Sequence, residues 1–460
     1  MQKSGHTMRK SVTRRNFLKG ALAGGAGLLF LRDSRLAFGF EANEKLSIAI
    51  IGCGGRGESN LGLVSGENIV ALCDTNDGVT AKAARRFPQA KVYADFRRML
   101  DDMHKQIDAV VVSTPDHTHA VASMMAMEMG KHVYCEKPLA HSIYEARMMR
   151  DTARKHKVAT QMGNQGTARN GFRESVEVVR SGAIGDIFEV HVWSNRPTWP
   201  QGVDRPRETP PTPDNLHWDL WLGPAPKRPY SPAYEPFAWR GWKDFGTGAL
   251  GDMGCHTLNL PFMSLDLGSP SYIEAEVHEI TAETYPKSSI ITYLFPARGN
   301  LRSLRLKWYD GGLKPADDLL YSMYPRKSGL KPGQGLPYGM RAPESGALIR
   351  GTKGLMYSTD DYGSGYELLP KEDFVDFKKP EPTMPRSPGH HEEWIRACKG
   401  GEPTMCNFGY GAALTEMLLL GNLAILTGEP ITWDSQNMRA VNCPKADEYI
   451  SRPYRKGWKL

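Results

Sequence analysis

The chain has 460 residues, 40% of them hydrophobic, with 58 Lys and Arg against 51 Asp and Glu and a mean hydropathy of −0.45. Residues 1–39 hold eight of the bases (Lys3, Arg9, Lys10, Arg14, Arg15, Lys19, Arg32, Arg35) and one acid, Asp33, which is the whole +7 excess, so 50 of each sign remain beyond them. A balanced body gives no case for nucleic acid or an anionic membrane surface as a partner. Seven cysteines without C-x-x-C or Cys/His spacing supply no zinc set, so no metal is expected; Cys53 and Cys73 read as small buried hydrophobes.

Thr13-Arg14-Arg15-Asn16-Phe17-Leu18-Lys19 resembles a twin-arginine translocation signal. The apolar run that follows, residues 21–31, is 11 residues long and too short for a hydrocarbon core of ~30 Å. Ala37-Phe38-Gly39 offers a cleavage site. The competing reading is a basic N-terminal arm. The expectation is a signal over 1–39 and a periplasmic protein with no stable membrane insertion after cleavage. The route carries folded proteins, so a cofactor would be acquired before export.

From Lys45 strand and helix alternate. Apolar runs at Ser47–Ile51, 69–73, 108–113, 131–135 and 157–162 are separated by helical stretches such as 80–87 and 119–129. Such strands predict an α/β, Rossmann-type, doubly wound parallel sheet over 45–165. Past residue 170 the texture changes. A helix over 171–181 precedes strand-like segments at Ile187–Trp193, Tyr272–His278, 290–295 and 301–309. They predict an α+β domain over 166–430 with a largely antiparallel open sheet. Helices over 389–399 and 410–427 would pack back on the body, residues 311–345 form an irregular Gly- and Pro-rich excursion, and 431–460 is a tail.

Gly52-Cys53-Gly54-Gly55-Arg56-Gly57 follows the first strand and opens a helix. There Gly52 permits a tight turn, Gly54 lets a pyrophosphate approach the backbone, and Gly57 lets helix pack on strand. Asp74, 22 residues after Gly52, ends the second strand and can accept both ribose hydroxyls. It would repel a 2′-phosphate, which favours NAD over NADP, although Arg56 could mitigate that. Glu136-Lys137-Pro138 ends the fourth predicted strand, on the carboxyl edge where ligands bind. Pro138 restricts Lys137 to extended backbone, aiming an ammonium that can stabilise an alkoxide into the cleft. Asp252 and His256 stand i, i+4 and share a helix face. His256 is suited to proton transfer; Asp252 could hold substrate or orient the imidazole.

These motifs, with Ser113-Thr114-Pro115-Asp116-His117-Thr118-His119 and the run from Gly248 to His256, resemble the Gfo/Idh/MocA oxidoreductases in the family's order. The resemblance implies hydride transfer at a sugar, glycoside or polyol carbon, with His256 as acid/base, Lys137 beside the reacting oxygen and Asp252 on the substrate. It also implies that Thr114, Pro115 and His119 line the nicotinamide side with Glu136, that Asn164 and Gln165 form the cleft floor, and that the protein is a homo-dimer or tetramer. For His117 and His119 a plain helix N-terminal turn is an equal reading. The family further permits an NAD-cycling glycoside hydrolase or lyase and a sugar–sugar transhydrogenase. A redox-dead sugar sensor on this fold is the remaining alternative.

Six of ten tryptophans (Trp193, Trp199, Trp218, Trp221, Trp239, Trp242) fall between residues 193 and 242. Packing of a long loop is the favoured reading for most of them. Trp199 and Trp239 are kept as substrate contacts, and His390-His391 is left open.

Overall fold

The computed structural model describes residues 45–299, 301–321, 343–358 and 360–460, which form one compact unit from Lys45 to Leu460. The segment read as an export signal, and most of the excursion after residue 311, lie outside them.

Six strands, β1 (Ser47–Ile51), β2 (Asn68–Cys73), β3 (Lys91–Tyr93), β4 (Ala109–Val112), β5 (His132–Cys135) and β6 (Thr160–Met162), form a parallel sheet in the order β3-β2-β1-β4-β5-β6. Ile48, Ala49, Ile50 and every residue of β4 are fully buried, because helices cover both faces. The strand order reverses between β1 and β4, whose Ile51 and Val112 are in register. The loops that leave these strands, at Gly52 and Ser113, therefore open a crevice at a topological switch point. Local chemistry starts the flanking helices. Asn76 Oδ1 accepts from the Gly78 and Val79 amides, and Ser142 and Glu145 form a capping box ahead of Ile143–His156. Strand β3 and the helix Phe96–Met103 were not anticipated, so Glu136-Lys137-Pro138 follows the fifth strand rather than the fourth.

The second sheet has nine strands: β7 (Ile187–Trp193), β8 (Tyr272–His278), β9 (Ser288–Phe295), β10 (Leu304–Tyr309), β11 (Gly346–Gly351), β12 (Leu355–Ser358), β13 (Tyr366–Leu369), β14 (Ile431–Asp434) and β15 (Arg439–Ala440). Their order is β13-β12-β11-β7-β10-β9-β8-β14-β15, antiparallel except for the parallel pair β7 and β10. The C-terminal segment thus supplies two strands to this sheet. Helix Phe408–Thr427 is long and apolar enough to cross a membrane by composition, yet 78% of it is buried against Ile143–His156 and β8. It is a core helix, and its one acid, Glu416, is taken up by Arg147 at 2.6 Å.

The tryptophan-rich segment folds on itself. Trp221, Tyr234, Trp239, Trp242 and Phe245 form a satellite core, with Trp218 stacked on Trp221 at 4.7 Å. The packing reading holds for most of these rings. The cluster leans on the nucleotide sheet. The His217 amide donates to the Thr75 carbonyl at 2.8 Å, and the Asp77 amide to Asn215 at 2.9 Å. Further along, Arg452 Nη2 donates to the His117 carbonyl at 2.6 Å, and Arg455 pairs with Asp219 at 2.9 Å. The amide bonds and the Arg455 pair clamp residues 215–224 over the edge of the parallel sheet, and Arg452 braces His117, whose Nε2 faces the Trp221 carbonyl at 3.0 Å.

Candidate active site

Gly52 leaves β1 with φ +86°, and a Cβ on it would stand 2.6 Å from the Ser113 carbonyl oxygen. A Cβ on Gly57 would stand 2.0 Å from the Gly52 carbonyl oxygen. These two glycines are sterically required. Gly54 is different: its Cβ would meet only a Val79 methyl, at 3.2 Å, and one on Gly55 would meet nothing within 4 Å. The outer face of the loop is thus bare backbone at the start of the helix Arg56–Leu63, a cradle for a diphosphate. Asp74 Oδ2 accepts from the Cys53 amide at 2.8 Å and Oδ1 from the Asn76 amide at 3.0 Å. Burial raises the Asp74 pKa against these amides. Arg56 is turned to Glu136, its Nε donating to Oε1 at 3.0 Å. Glu136 also accepts from Asn60 at 2.9 Å and packs over Gly163, where a Cβ would lie 2.6 Å from its carboxyl group.

From this loop a cavity of about 510 Å³ runs past Thr114 and Pro115 to Lys137, Gln165, Trp239 and Arg240. Thr114 Oγ1 is buried without a hydrogen-bond partner among the described residues, as is Gln165 Oε1. The glycine cradle, the Asp74 carboxylate and the orphaned Thr114 hydroxyl fit a bound NAD.

At the far end Lys137 Nζ donates to Asp252 Oδ1 at 2.7 Å and to the Asp252 carbonyl at 2.9 Å. Arg240 Nε reaches the same Oδ1 at 3.2 Å. Burial alone would push the Asp252 carboxyl up, but Lys137 and Arg240 outweigh it and hold it at about 2. Burial likewise opposes the Lys137 charge, and Asp252 raises its pKa in spite of that. The helix Gly248–Thr257 sets His256 one turn beyond Asp252. Asn164 governs this ring. Its Nδ2 donates to the Cys255 carbonyl at 2.7 Å, so its Oδ1 faces His256 Nδ1 at 2.9 Å. Nδ1 must therefore carry the proton, which leaves Nε2 as the basic nitrogen. Nε2 makes no hydrogen bond among the described residues. Burial and the Lys137 charge depress the His256 pKa well below its ordinary value, so the ring is neutral.

Residues 46–164 match the model for the oxidoreductase family, NAD-binding Rossmann fold, and residues 176–297 match that for the oxidoreductase family C-terminal alpha/beta domain, together more than half the chain. The chain belongs to the Gfo/Idh/MocA family. It is 28% identical over 190 residues to a levoglucosan dehydrogenase of Pseudarthrobacter phenanthrenivorans, covering 41% of this chain and 40% of that protein. It is 29% identical over 208 residues to a glycosyl hydrolase family 109 protein of Shewanella baltica, covering 39% and 45%. The chain therefore spans under half the length of these curated relatives. The fold is shared with the WlbA dehydrogenase of Bordetella pertussis, solved with NADH and UDP-GlcNAcA, at a TM-score of 0.58 and 16% identity over 85% of this chain and 99% of that one.

Within this Gfo/Idh/MocA site several expectations need correction. His119 does not line the nicotinamide side. It is 1% exposed, and its two ring nitrogens face the Pro138 and Thr114 carbonyls, each at 2.8 Å. Both must donate, so the ring is an imidazolium. Burial opposes that charge, but Cys135, Asp116 and the Pro138 carbonyl hold its pKa up at about 10. His119 is a strut between the Thr114 loop and the Lys137 turn. Asn164 is fully buried, and it orients His256 rather than forming the cleft floor; Gln165 remains on the wall. Trp239 lines the cavity, whereas the Trp199 indole N–H is spent on Gln201 at 2.9 Å. Lys137 lines the wall, and Asp252 and His256 stand behind it. His117 packs between Trp221 and Phe245, at 5.3 and 5.2 Å. His390 and His391 pack on Tyr134. All seven cysteines are buried and free.

Sequence reasoning missed two residues of the site. Arg240 shares Asp252 with Lys137, and Tyr362 stands over His256 with ring centroids 4.9 Å apart, its own ring carrying Arg169 at 4.2 Å. The aromatic run around Arg240 was the available signal for the first. Nothing local marks the second, which arrives 106 residues downstream of His256.

Proposed function

We propose that the protein oxidises a ring carbinol of a sugar, glycoside or polyol with a tightly held NAD, and that it is exported through the twin-arginine route with that cofactor in place. The observation that carries the catalytic part is the Asn164–His256 hydrogen bond together with the Lys137–Asp252 pair, of which Lys137 lines the cavity that begins at Gly52. It leaves a neutral imidazole with a free Nε2 to accept the hydroxyl proton. Lys137 Nζ, fixed by Asp252, stabilises the oxygen as negative charge develops. NAD, when bound, supplies the electron acceptor. Trp239 gives the sugar an apolar face. Retention of the cofactor is supported by the clamp of residues 215–224, bonded at Thr75 and Asp77 and tied down by Arg455 directly and by Arg452 through His117. Export is supported by Arg14-Arg15 and the apolar run that follows. The domain division at residues 165 and 430 and an oligomeric state belong to the same proposal.

A second reading is favoured by the glycosyl hydrolase family 109 relative. Oxidation at a ring carbon acidifies the neighbouring C–H, the anomeric substituent leaves, water adds, and the ketone is reduced again with no net redox change.

The test is the near-ultraviolet spectrum of extensively dialysed protein before and after sugars and glycosides are added. A reduced-nicotinamide band that forms without added NAD supports retention. A band that persists identifies net oxidation, and product release without a lasting band identifies the cycling reaction. Activity only on added NAD would overturn retention. Fractionation of cells expressing Arg14→Lys/Arg15→Lys tests export, which fails if the variant still reaches the periplasm.

A further inference from the structure

The cations at the substrate end of the cavity outnumber the acids. Arg56 has Glu136 at 3.0 Å, and Lys137 has Asp252 at 2.7 Å. The His119 imidazolium has Asp116 beside it, a carboxyl buried against Thr247. Among the described residues Arg240 has no acid of its own, only the Oδ1 already engaged by Lys137, at 3.2 Å. The other acids on the wall, Asp74 and Glu235, belong to the opposite end. The loop amides hold Asp74, and its charge adds to burial in raising the Glu235 pKa. One positive charge therefore shares its acid with another cation, on a partly exposed side chain at the cavity wall.

The Arg240 side chain is also held in place. The Phe237 and Trp239 rings lie 4.5 and 4.3 Å from its guanidinium carbon, and Trp199 lies 5.9 Å away. Its Nη1 donates to the Phe237 carbonyl at 3.1 Å and its Nε to Asp252. Its Nη2 has no acceptor among the described residues. The backbone beneath it is fixed, because a Cβ on Gly246 would stand 2.5 Å from the Arg240 carbonyl oxygen. A planar fork, pre-oriented by aromatic rings and with one nitrogen unused, is built to receive an oxyanion.

We propose that the substrate is a sugar bearing a carboxylate, a uronic acid, and that Arg240 is the residue that selects it. The proposal rests on the oxidoreductase reading above and names its substrate class. A single excess positive charge calls for a monoanion, and the carboxylate beside Arg240 would set which ring hydroxyl faces His256. A neutral sugar would leave Nη2 and its charge unanswered.

The experiment compares the cofactor-loaded protein on matched pairs, glucuronate with glucose and galacturonate with galactose, free and as methyl glycosides, and adds the hexose 6-phosphates. The expected kcat/KM ratio of acid to neutral sugar is at least about tenfold, the scale of one charge-assisted hydrogen bond. In Arg240→Gln that ratio falls to near one, mainly through KM, and Arg240→Lys is intermediate because it keeps the charge without the fork. A wild-type ratio at or below one, or a preference for the phosphates, overturns the carboxylate assignment. A preference that survives in Arg240→Gln overturns the role of Arg240, as does a variant that loses NAD with its selectivity intact. If no sugar is oxidised, the oxidoreductase reading fails, while calorimetric binding of uronate to wild type and Arg240→Lys still decides the role of Arg240.

Discussion

Asn164→Ala tests whether His256 is the base and whether its tautomer is controlled. The substitution removes the acceptor 2.9 Å from His256 Nδ1 and the donor 2.7 Å from the Cys255 carbonyl. Losing a buried partner costs about 1–3 kcal/mol. Applied to the choice between imidazole tautomers, that is a factor of about 5–150 in the population with a free Nε2. We expect kcat to fall by that factor and KM to change less than about threefold, since Asn164 is fully buried and does not touch substrate. Asn164→Asp separates this role from simple loss of packing. A carboxylate there still accepts from Nδ1–H but favours the imidazolium, so the depressed His256 pKa rises. The base is lost on protonation, so activity in Asn164→Asp should fall at a higher pH than in wild type as the medium is acidified. Steady-state kinetics across pH on NAD-loaded protein reads both effects. A folded Asn164→Ala enzyme with kcat within about twofold of wild type, and an Asn164→Asp acid limb that has not moved, would refute the assignment.

Three further outcomes are expected. Lys137→Met removes the charge beside the reacting oxygen and should lower kcat about 10²–10⁴-fold with NAD still bound, read by single-turnover nicotinamide absorbance. Gly57→Ala should destabilise the fold by about 1–3 kcal/mol or more, since its Cβ would stand 2.0 Å from the Gly52 carbonyl oxygen, whereas Gly54→Ala should leave melting nearly unchanged and weaken NAD retention. His119 has a folded pKa of about 10 against an ordinary 6.5, so its contribution is complete below pH 6.5 and is lost as pH rises through 10. Thermal melts over that window should fall more steeply in wild type than in His119→Gln, by a few kcal/mol, and parallel curves would show that the ring is neutral.

What could be read from the chain alone was local in origin. Gly52-x-Gly54-x-x-Gly57 states a backbone requirement within six residues, and the structure shows which two glycines are obligatory. Asp252 and His256 declare a shared helix face by spacing. The helix Phe96–Met103 went unread although its signal is local: Phe96, Met99, Leu100 and Met103 lie at i, i+3, i+4 and i+7, and all four are buried. Strand β3 was not, being three residues with none buried. Arg240 and Tyr362 reach the site from irregular segments without periodicity, and only tertiary packing brings them there. The Asn164 side chain was placed in the right region with the wrong neighbour, because sequence does not show which way a buried amide points.

The clamp over the nucleotide edge also has a bearing on timing. Within the parallel sheet, strands pair with partners tens of residues away, whereas the bond from Arg452 to the His117 carbonyl closes a separation of 335 residues. Contacts so distant in sequence require a large loop-closure entropy and form late. The glycine cradle is therefore assembled while its outer edge is still uncovered. If NAD is retained as proposed, protein refolded with the nucleotide present should hold more of it than protein given NAD only after folding.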